Sequence, residues 1–496
     1  MHPSTRDVIP SPSSASTAVP DEGLRIPLVV DLDGTLIKAD LLMESVVRLL
    51  RANPLYVFML PLWLLKGKAA LKGEIARRVS LQVALLPFNR PFLDWLRAQH
   101  AAGRTLVLAT ASTQELAEAI ARHLGIFGQV FGSADGVNLG GRRKRDLLVA
   151  RFGAQGFDYA GNAAPDLHIW PDARRAILVN PDRGVERRAR RVARVDSVMV
   201  DRRGGPLMLV RAIRAYQWLK NLLVFVALLA SHTWSSGVAV LDTLLAFAAF
   251  SMCASAIYLV NDAFDLDADR AHPRKRNRPM AAGDLGLPQA ALAMAVLLAL
   301  GFGIAACVSA PFTGVLLLYV VTTLAYSLWL KKRVLIDVMV LGALYTLRVI
   351  AGAVAIAVQP SFWLIAFSMF LFTSLALVKR CAELKRLALE NRPAAAGRDY
   401  RVSDLEQLNS FGAAAGNGAV VVLAFYINSP DVRAHYHNPA VLWMLCPLLM
   451  YWIGRTWIKV GRDEMHDDPI VFAFKDRTSQ VIGLVAALLF YGALWT

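Results

Sequence analysis

At 496 residues the chain exceeds one ordinary domain, and 56% hydrophobic residues with a mean hydropathy of +0.43 exclude a wholly soluble protein. Its net charge of +16 lies in loops between apolar stretches, which excludes a nucleic-acid surface and fits anionic lipid headgroups. Cys253, Cys307, Cys381 and Cys446 sit in or beside apolar segments without CxxC spacing, so they read as packing residues rather than disulfides or a zinc site.

Residues 1–23 are rich in Ser, Pro and Thr, lack an apolar core, and predict a disordered tail rather than a signal peptide. Residues 24–182 alternate β-type runs with helical patterns. Leu28–Val30, Thr105–Ala109, Tyr159–Ala160 and Ala176–Val179 predict strands of a soluble α/β domain. Within it, Leu55–Leu65 (LYVFMLPLWLL) is apolar but too short to span a bilayer. The preferred reading is the core of a helical insertion; the other is a segment dipping into the membrane interface. Residues 183–205 are strongly basic and predict a linker near the headgroups, or a solvated charge run.

Long apolar segments follow at about 214–233, 239–260, 288–309, 312–330, 335–357, 361–378, 408–428, 439–458 and 479–496. Residues 206–496 therefore predict an all-α bundle of about nine membrane helices. Loops after the second, fourth, sixth and eighth segments carry Arg274-Lys275-Arg276, Lys331-Lys332-Arg333, Lys379-Arg380 and Arg462/Lys475/Arg477. The alternate loops carry no Lys or Arg, or Arg433 alone. This predicts a multi-pass plasma-membrane protein with its N-terminal domain and basic loops cytoplasmic and its C-terminus outside.

Two motif sets carry chemistry. In the first, Val29-Val30-Asp31-Leu32-Asp33-Gly34-Thr35 ends an apolar strand with two acids and a glycine turn. Such a strand end can present Asp31 as a nucleophile toward phosphorus and Asp33 as general acid/base. Thr110 can donate to a phosphoryl oxygen, with Ser112 a weaker rival, and Lys144 can neutralise phosphate charge. Gly161-Asn162-Ala-Ala-Pro-Asp166 can complete a Mg²⁺ site with Asp31 and Asp33. In this order the pieces resemble the haloacid-dehalogenase (HAD) phosphatase superfamily over roughly residues 24–180. The resemblance implies a Rossmann-like fold, an aspartyl-phosphate mechanism on Asp31, and a helical cap at about 40–93 that selects substrate. It departs at Asn162, where the family usually has an acidic ligand; an amide oxygen brings no charge.

The second set is Asn261-Asp262-x-x-Asp265-x-x-x-Asp269, followed by His272-Pro273-x-Lys275-Arg276-x-Arg278-Pro279. On a helix the three aspartates share one face and repel unless a cation relieves them. Mg²⁺ suits a few carboxylates plus substrate phosphates, and the basic run can hold further phosphate. With Gln217-Trp218-Leu219-Lys220-Asn221, this set resembles the UbiA superfamily of intramembrane prenyltransferases over 206–496. Members acting on aromatic acceptors carry a second aspartate-rich motif. Here that place reads Val378-Lys379-Arg380-Cys381-Ala382-Glu383, in which Lys379 and Glu383 share a helical face. Glu383 is a candidate metal ligand or the ion-pair partner of Lys379. Arg348 lies inside a span, where charge is costly, and is read as functional.

The substitution resembles the phosphoribosyltransferase branch of that superfamily. It implies transfer of 5-phosphoribose from phosphoribosyl pyrophosphate (PRPP) to a polyprenyl phosphate, for cell-envelope glycan building. Asp262, Asp265 and Asp269 would hold Mg²⁺. Lys220, Asn261, Lys275, Arg278, Lys332, Arg348, Lys379 and Arg380 are the candidate phosphate holders. A HAD phosphatase on the same chain could then remove the product's 5-phosphate. The rival expectation is an aromatic prenyltransferase using a prenyl diphosphate, with a non-catalytic N-terminal half.

Overall fold

The computed structural model describes residues 25–134, 136–201, 205–391, 393, 398–465 and 468–495. The tail expected at 1–23 lies outside them. The chain forms two compact units: Met1–Gly204 with Leu266–Leu287, and Gly205–Asp265 with Pro288–Thr496.

The first unit is built on an all-parallel six-stranded sheet, β1 (Leu28–Val30), β2 (Leu106–Thr113), β3 (Gln129–Ser133), β4 (Asp158–Gly161), β5 (Ala176–Val179) and β6 (Val195–Met199), ordered β3-β2-β1-β4-β5-β6. Parallel sheets are covered on both faces, and the unbroken apolar run of β1 is fully buried for that reason. Alternation sends Leu28 and Val30 into the core with Phe92 and Leu108, and Val29 into the core with Tyr159 and Trp170. Strand order reverses between β1 and β4. The carboxyl ends of β1, β2 and β4 therefore meet at the crevice where α/β sheets bind ligands.

The described part of the expected linker, residues 183–201, is not a linker. It holds a helix, Val185–Val192, and the edge strand β6. Val185 and Ala189, one turn apart, turn inward, and the arginines form the helix's solvated face. Strand β3 also went unanticipated, because its residues are only half-buried and lack a continuous apolar run.

Between residues 40 and 93 the unit is helical, with helices Leu41–Ala52, Met59–Leu65 and Lys68–Ala76. The core reading of Leu55–Leu65 is overturned: Trp63 is buried, but Leu55 is 67%, Phe58 73% and Leu65 85% exposed. Only the face bearing Tyr56, Leu60 and Trp63 packs, onto Leu49, Leu71 and Ile75.

Leu266–Leu287 joins this unit through charge and shape. Arg270 donates from Nη1 and Nη2 to the two carboxylate oxygens of Glu44, at 2.9 and 2.5 Å. Arg48 reaches both Glu44, at 3.2 Å, and Asp267. Gly283 (φ +77°) lies so close to Lys38 that an added Cβ would meet the Lys38 Cβ at 2.5 Å.

The second unit holds eight helices long and apolar enough to cross a membrane among the described residues, from Gly237–Phe264 to Arg477–Leu494. The first expected span appears as the shorter apolar stretch Ala215–Ala230, which begins with ten residues of 3₁₀ helix and ends with a short α-helix. At roughly 2 Å rise per 3₁₀ residue and 1.5 Å per α residue, it reaches about 29 Å. Small residues bring the helices together: a Cβ on Gly352 would fall 1.9 Å from the Val224 carbonyl oxygen.

Glu44 and Arg270 are 1% and 5% exposed, so removing Arg270 takes two charge-assisted hydrogen bonds from a buried acid and leaves it Arg48 alone. Arg270→Ala should cost the first unit about 3 kcal/mol, measured as lost hydrogen-exchange protection in Leu41–Ala52.

Candidate active sites

In the first unit, Asp31 follows β1 directly, and its amide donates to the Ala160 carbonyl of β4. Lys144 donates to Asp31 Oδ1 at 2.6 Å and to the Tyr159 hydroxyl at 3.1 Å. Tyr159 donates to Asp166 Oδ1 at 2.8 Å, while the amides of Asn162 and Ala163 donate to Asp166 Oδ2 at 3.0 and 2.9 Å. The chain Asp31–Lys144–Tyr159–Asp166 is buried throughout. Burial pushes Asp31 up to about 7 against the pull of Lys144. Burial draws Lys144 down, but Asp31 and Asp166 outweigh it and leave the ammonium above its ordinary value.

Asp33 accepts from the Leu41 amide at 2.8 Å and from Ser112 Oγ at 2.9 Å, and burial raises its pKa. Ser112 thus holds Asp33, while Thr110 Oγ1 accepts from the Ser112 amide at 3.0 Å; β2 runs past Thr110 to Thr113, beyond the expected end at Ala109. Asn162 packs over Gly34: a Cβ there would meet Asn162 Nδ2 at 2.3 Å, and φ is +79°. Thr35 Oγ1 donates to Asn162 Oδ1 at 3.2 Å.

The Mg²⁺ expectation fits in part. Asp31 and Asn162 come together at adjacent strand ends, but both oxygens of Asp166 accept protein hydrogen bonds. Asp166 therefore serves as an anchor for Tyr159 and the turn rather than as a ready ligand. Sequence inspection missed Tyr159, hidden as an apolar strand residue, and Lys72. From helix Lys68–Ala76, Lys72 Nζ donates to the Ala111 carbonyl at 2.5 Å and to Asn138 Oδ1 at 2.7 Å. It lines a cavity of about 250 Å³ with Leu42, Ile75, Val83, Leu116 and Ser112.

In the second unit, helix Gly237–Phe264 carries Asn261 and Asp262 in its last turn and stops, with Asp265 as its C-cap. A separate helix, Leu266–Ala271, begins in the first unit. The three aspartates therefore do not share one face of a continuous helix, as their spacing suggested. Each has a basic partner: Arg214 for Asp262, Lys331 at 3.4 Å for Asp265, and Arg278 at 2.6 Å for Asp269. Arg214 holds its pose in left-handed backbone (φ +54°), uncommon outside glycine, with its guanidinium 5.2 Å from the Tyr258 ring. Among the described residues no three Asp, Glu, His or Cys side chains gather into a metal cage. Asn261 Oδ1, however, is a buried acceptor with no hydrogen-bond partner among the described residues. A hard cation at this helix end would satisfy it, so the residues fit Mg²⁺.

Four further expectations change. Arg348 does not present itself to a phosphate. Buried, it donates to Asn221 Oδ1 at 3.0 Å, the Leu344 carbonyl at 2.6 Å and the Tyr319 hydroxyl at 3.1 Å. Arg380 is fully buried and paired with Asp337 at 2.6 Å and with Glu383. Glu383 is engaged on both oxygens, by Arg380 and by Arg398, so it is neither an open ligand nor the partner of Lys379. Lys379 instead meets Asp468 at 3.0 Å, on the same Oδ2 that accepts from Lys220 at 2.7 Å. Burial would raise Asp468, but the two lysines hold it far below the usual carboxylate range. Lys275 and Lys332 are exposed.

The sequence profile of the UbiA prenyltransferase family matches residues 222–478. The uncharacterized protein y4nM of Sinorhizobium fredii is 38% identical over 95% of this chain and 91% of its own length. Nodulation protein NoeC of Azorhizobium caulinodans is 34% identical over 56% of this chain and 91% of its own length. The decaprenyl-phosphate phosphoribosyltransferase of Mycolicibacterium smegmatis is 37% identical over 36% of this chain and 57% of its own length.

A carboxyl whose folded-state pKa is raised contributes stability below its unfolded value, near 4, and loses it as pH rises through the folded value. With Asp31 at about 7, the first unit should be less resistant to urea at about pH 8 than at about pH 5. Asp31→Asn should flatten that difference, read from denaturation midpoints at the two pH values.

Proposed function

Because the chain belongs to the UbiA prenyltransferase family, we propose that it moves 5-phosphoribose from PRPP to a polyprenyl phosphate. The observation that carries this reading is the meeting of Lys220 and Lys379 on one oxygen of Asp468. Two ammoniums from separate segments make a pole for phosphate where aromatic-acceptor relatives would have a second set of acids. The similarity to decaprenyl-phosphate phosphoribosyltransferase supports the same substrate pair.

The reaction forms a bond from a lipid phosphate oxygen to ribose C1 and breaks the bond from C1 to pyrophosphate, which leaves with the electron pair. Mg²⁺ bound by Asn261, Asp262 and Asp265 would supply charge for the departing pyrophosphate. Arg214 and Lys331, the partners of these acids here, stand beside the same helix end and would hold phosphate oxygens there. Arg348 acts at one remove: through Asn221 and Tyr319 it stiffens the bundle behind Lys220. The alternation of loop charge supports a cytoplasmic face for the basic loops, where a soluble donor arrives.

The first unit is, in this reading, a HAD-type phosphatase that removes the 5-phosphate of the lipid product. Asp31 attacks phosphorus, the ester oxygen leaves with a proton from Asp33, and water then releases phosphate from Asp31. Lys144 offsets the charge gathered on the phosphoryl group. Fusion to the transferase raises the effective concentration of the second site for its substrate. Asn162 supports the other reading of this unit, a binding module without catalysis, because it removes a charge from the metal position.

Purified protein given PRPP, Mg²⁺ and a polyprenyl phosphate should yield polyprenyl-phosphoryl ribose, identified by mass spectrometry. Asp31→Asn should leave the 5-phosphorylated intermediate as the sole lipid product, and an unchanged product profile would reject the phosphatase role. Asp265→Asn should abolish both products. Turnover of a prenyl diphosphate with an aromatic acceptor, unaffected by PRPP, would reject the transferase reading.

A further inference from the structure

The segment Pro54–Leu65 has no charged side chain, no polar group beyond the Tyr56 hydroxyl and the Trp63 indole N–H, and no hydrophilic face. Its inner stripe, Tyr56, Leu60 and Trp63, is spaced at one and two helical turns and closes a small core. The Tyr56 and Trp63 rings lie 5.8 Å apart, with the Arg78 guanidinium 4.9 Å from the Trp63 ring. All the rest of the segment's large side chains point away from that core: Leu55, Val57, Phe58, Met59, Leu62, Leu64 and Leu65 are exposed. A helix that is apolar all round is stable only inside an apolar medium, and contiguous exposed patches of this kind mark interaction sites.

We infer that Pro54–Leu65 is a membrane-surface anchor, by which the first unit buries Leu55, Phe58, Leu62 and Leu65 at the headgroup–acyl boundary of the bilayer. Three observations select lipid over a protein partner. The chain itself is an integral membrane protein, so a bilayer is always within reach of this unit. The segment is too short to span, which fits a helix lying in the interface. Arg51, Lys66 and Lys68 flank it, all exposed, and suit anionic headgroups at the edge of a buried apolar face. Pro54 and Pro61 do not break the arrangement, because Pro54 opens the 3₁₀ turn and Pro61 stands in the first turn of Met59–Leu65.

The anchor has a functional direction independent of which phosphoester the first unit handles. Helix Lys68–Ala76 continues from Leu65 through Gly67, and it contributes Lys72 and Ile75 to the cavity beside Ser112. Seating the segment in lipid therefore sets that cavity close to the bilayer surface.

The test uses the full chain with its four cysteines replaced by alanine, reconstituted in liposomes containing anionic lipid. A nitroxide is placed at Leu62→Cys, with Leu55→Cys as a second site and the exposed Arg97→Cys as the aqueous control. Power saturation should find the Leu62 and Leu55 labels colliding more with oxygen than with a water-soluble nickel complex, the reverse of the Arg97 label. Nickel collision equal to the control would overturn the proposal. So would labels shielded from both reagents, since that marks a covering protein surface. Lys66→Glu with Lys68→Glu should shift both labels toward nickel; an unchanged collision ratio would overturn the electrostatic part.

Discussion

An ionised side chain taken out of water costs several kcal/mol unless an opposite charge accompanies it, and this protein is organised around that pairing. Lys144 accompanies Asp31, Arg214 accompanies Asp262, Arg380 accompanies Asp337, and two lysines share Asp468. The pairs differ in what they leave unfilled. Arg380 sits between Asp337 and Glu383 under the Tyr400 ring, one cation against two acids. The lysines at Asp468 bring two positive charges to one negative one, so the balance there favours a further anion. Surplus charge, rather than charge alone, separates a binding position from a structural one.

The sequence carried the strand ends well, since Leu28–Val30 and Ala176–Val179 are short apolar runs with only one comfortable environment. A polar residue immediately after such a run falls at the strand's carboxyl end, and Asp31 after β1 and Asn162 after β4 stand on neighbouring strands for that reason. Long apolar segments revealed the membrane helices for the same reason. Partner choice inside the bundle was not legible. Local spacing proposed Lys379 with Glu383, but Arg380, one residue on, faces Asp337 from another helix and takes Glu383 with it. Asp468, almost ninety residues from Lys379, had no local signal beyond a polar loop. The break at Asp265 was hidden likewise, because nothing in Asp-Leu-Asp-Ala-Asp forbids a helix.

Composition misled in two instructive places. The arginine-rich run at 183–205 looks like a tether until its Val and Ala residues are read at helical spacing and as a strand. Conversely, Leu55–Leu65 looks like core because apolar residues usually are. Its inner stripe, Tyr56, Leu60 and Trp63, packs, and its other large side chains are bare. Each segment follows the ordinary rules, but in the first the solvated face dominates the count, and in the second the apolar medium lies outside the chain.

The return of Leu266–Leu287 to the first unit has a consequence for how the protein is made. The Glu44 carboxylate is synthesised long before Arg270. The roughly sixty residues between Gly204 and Leu266 take some 3 to 12 seconds at ribosomal speed. During that interval Glu44 has Arg48 beside it but lacks Arg270, the partner that engages both of its carboxylate oxygens. Helix Gly237–Phe264, long and apolar enough to cross a membrane, lies between the two segments in the chain and is synthesised before the missing piece. Closure of the N-terminal unit thus waits on synthesis of a long apolar helix that is made between its two segments.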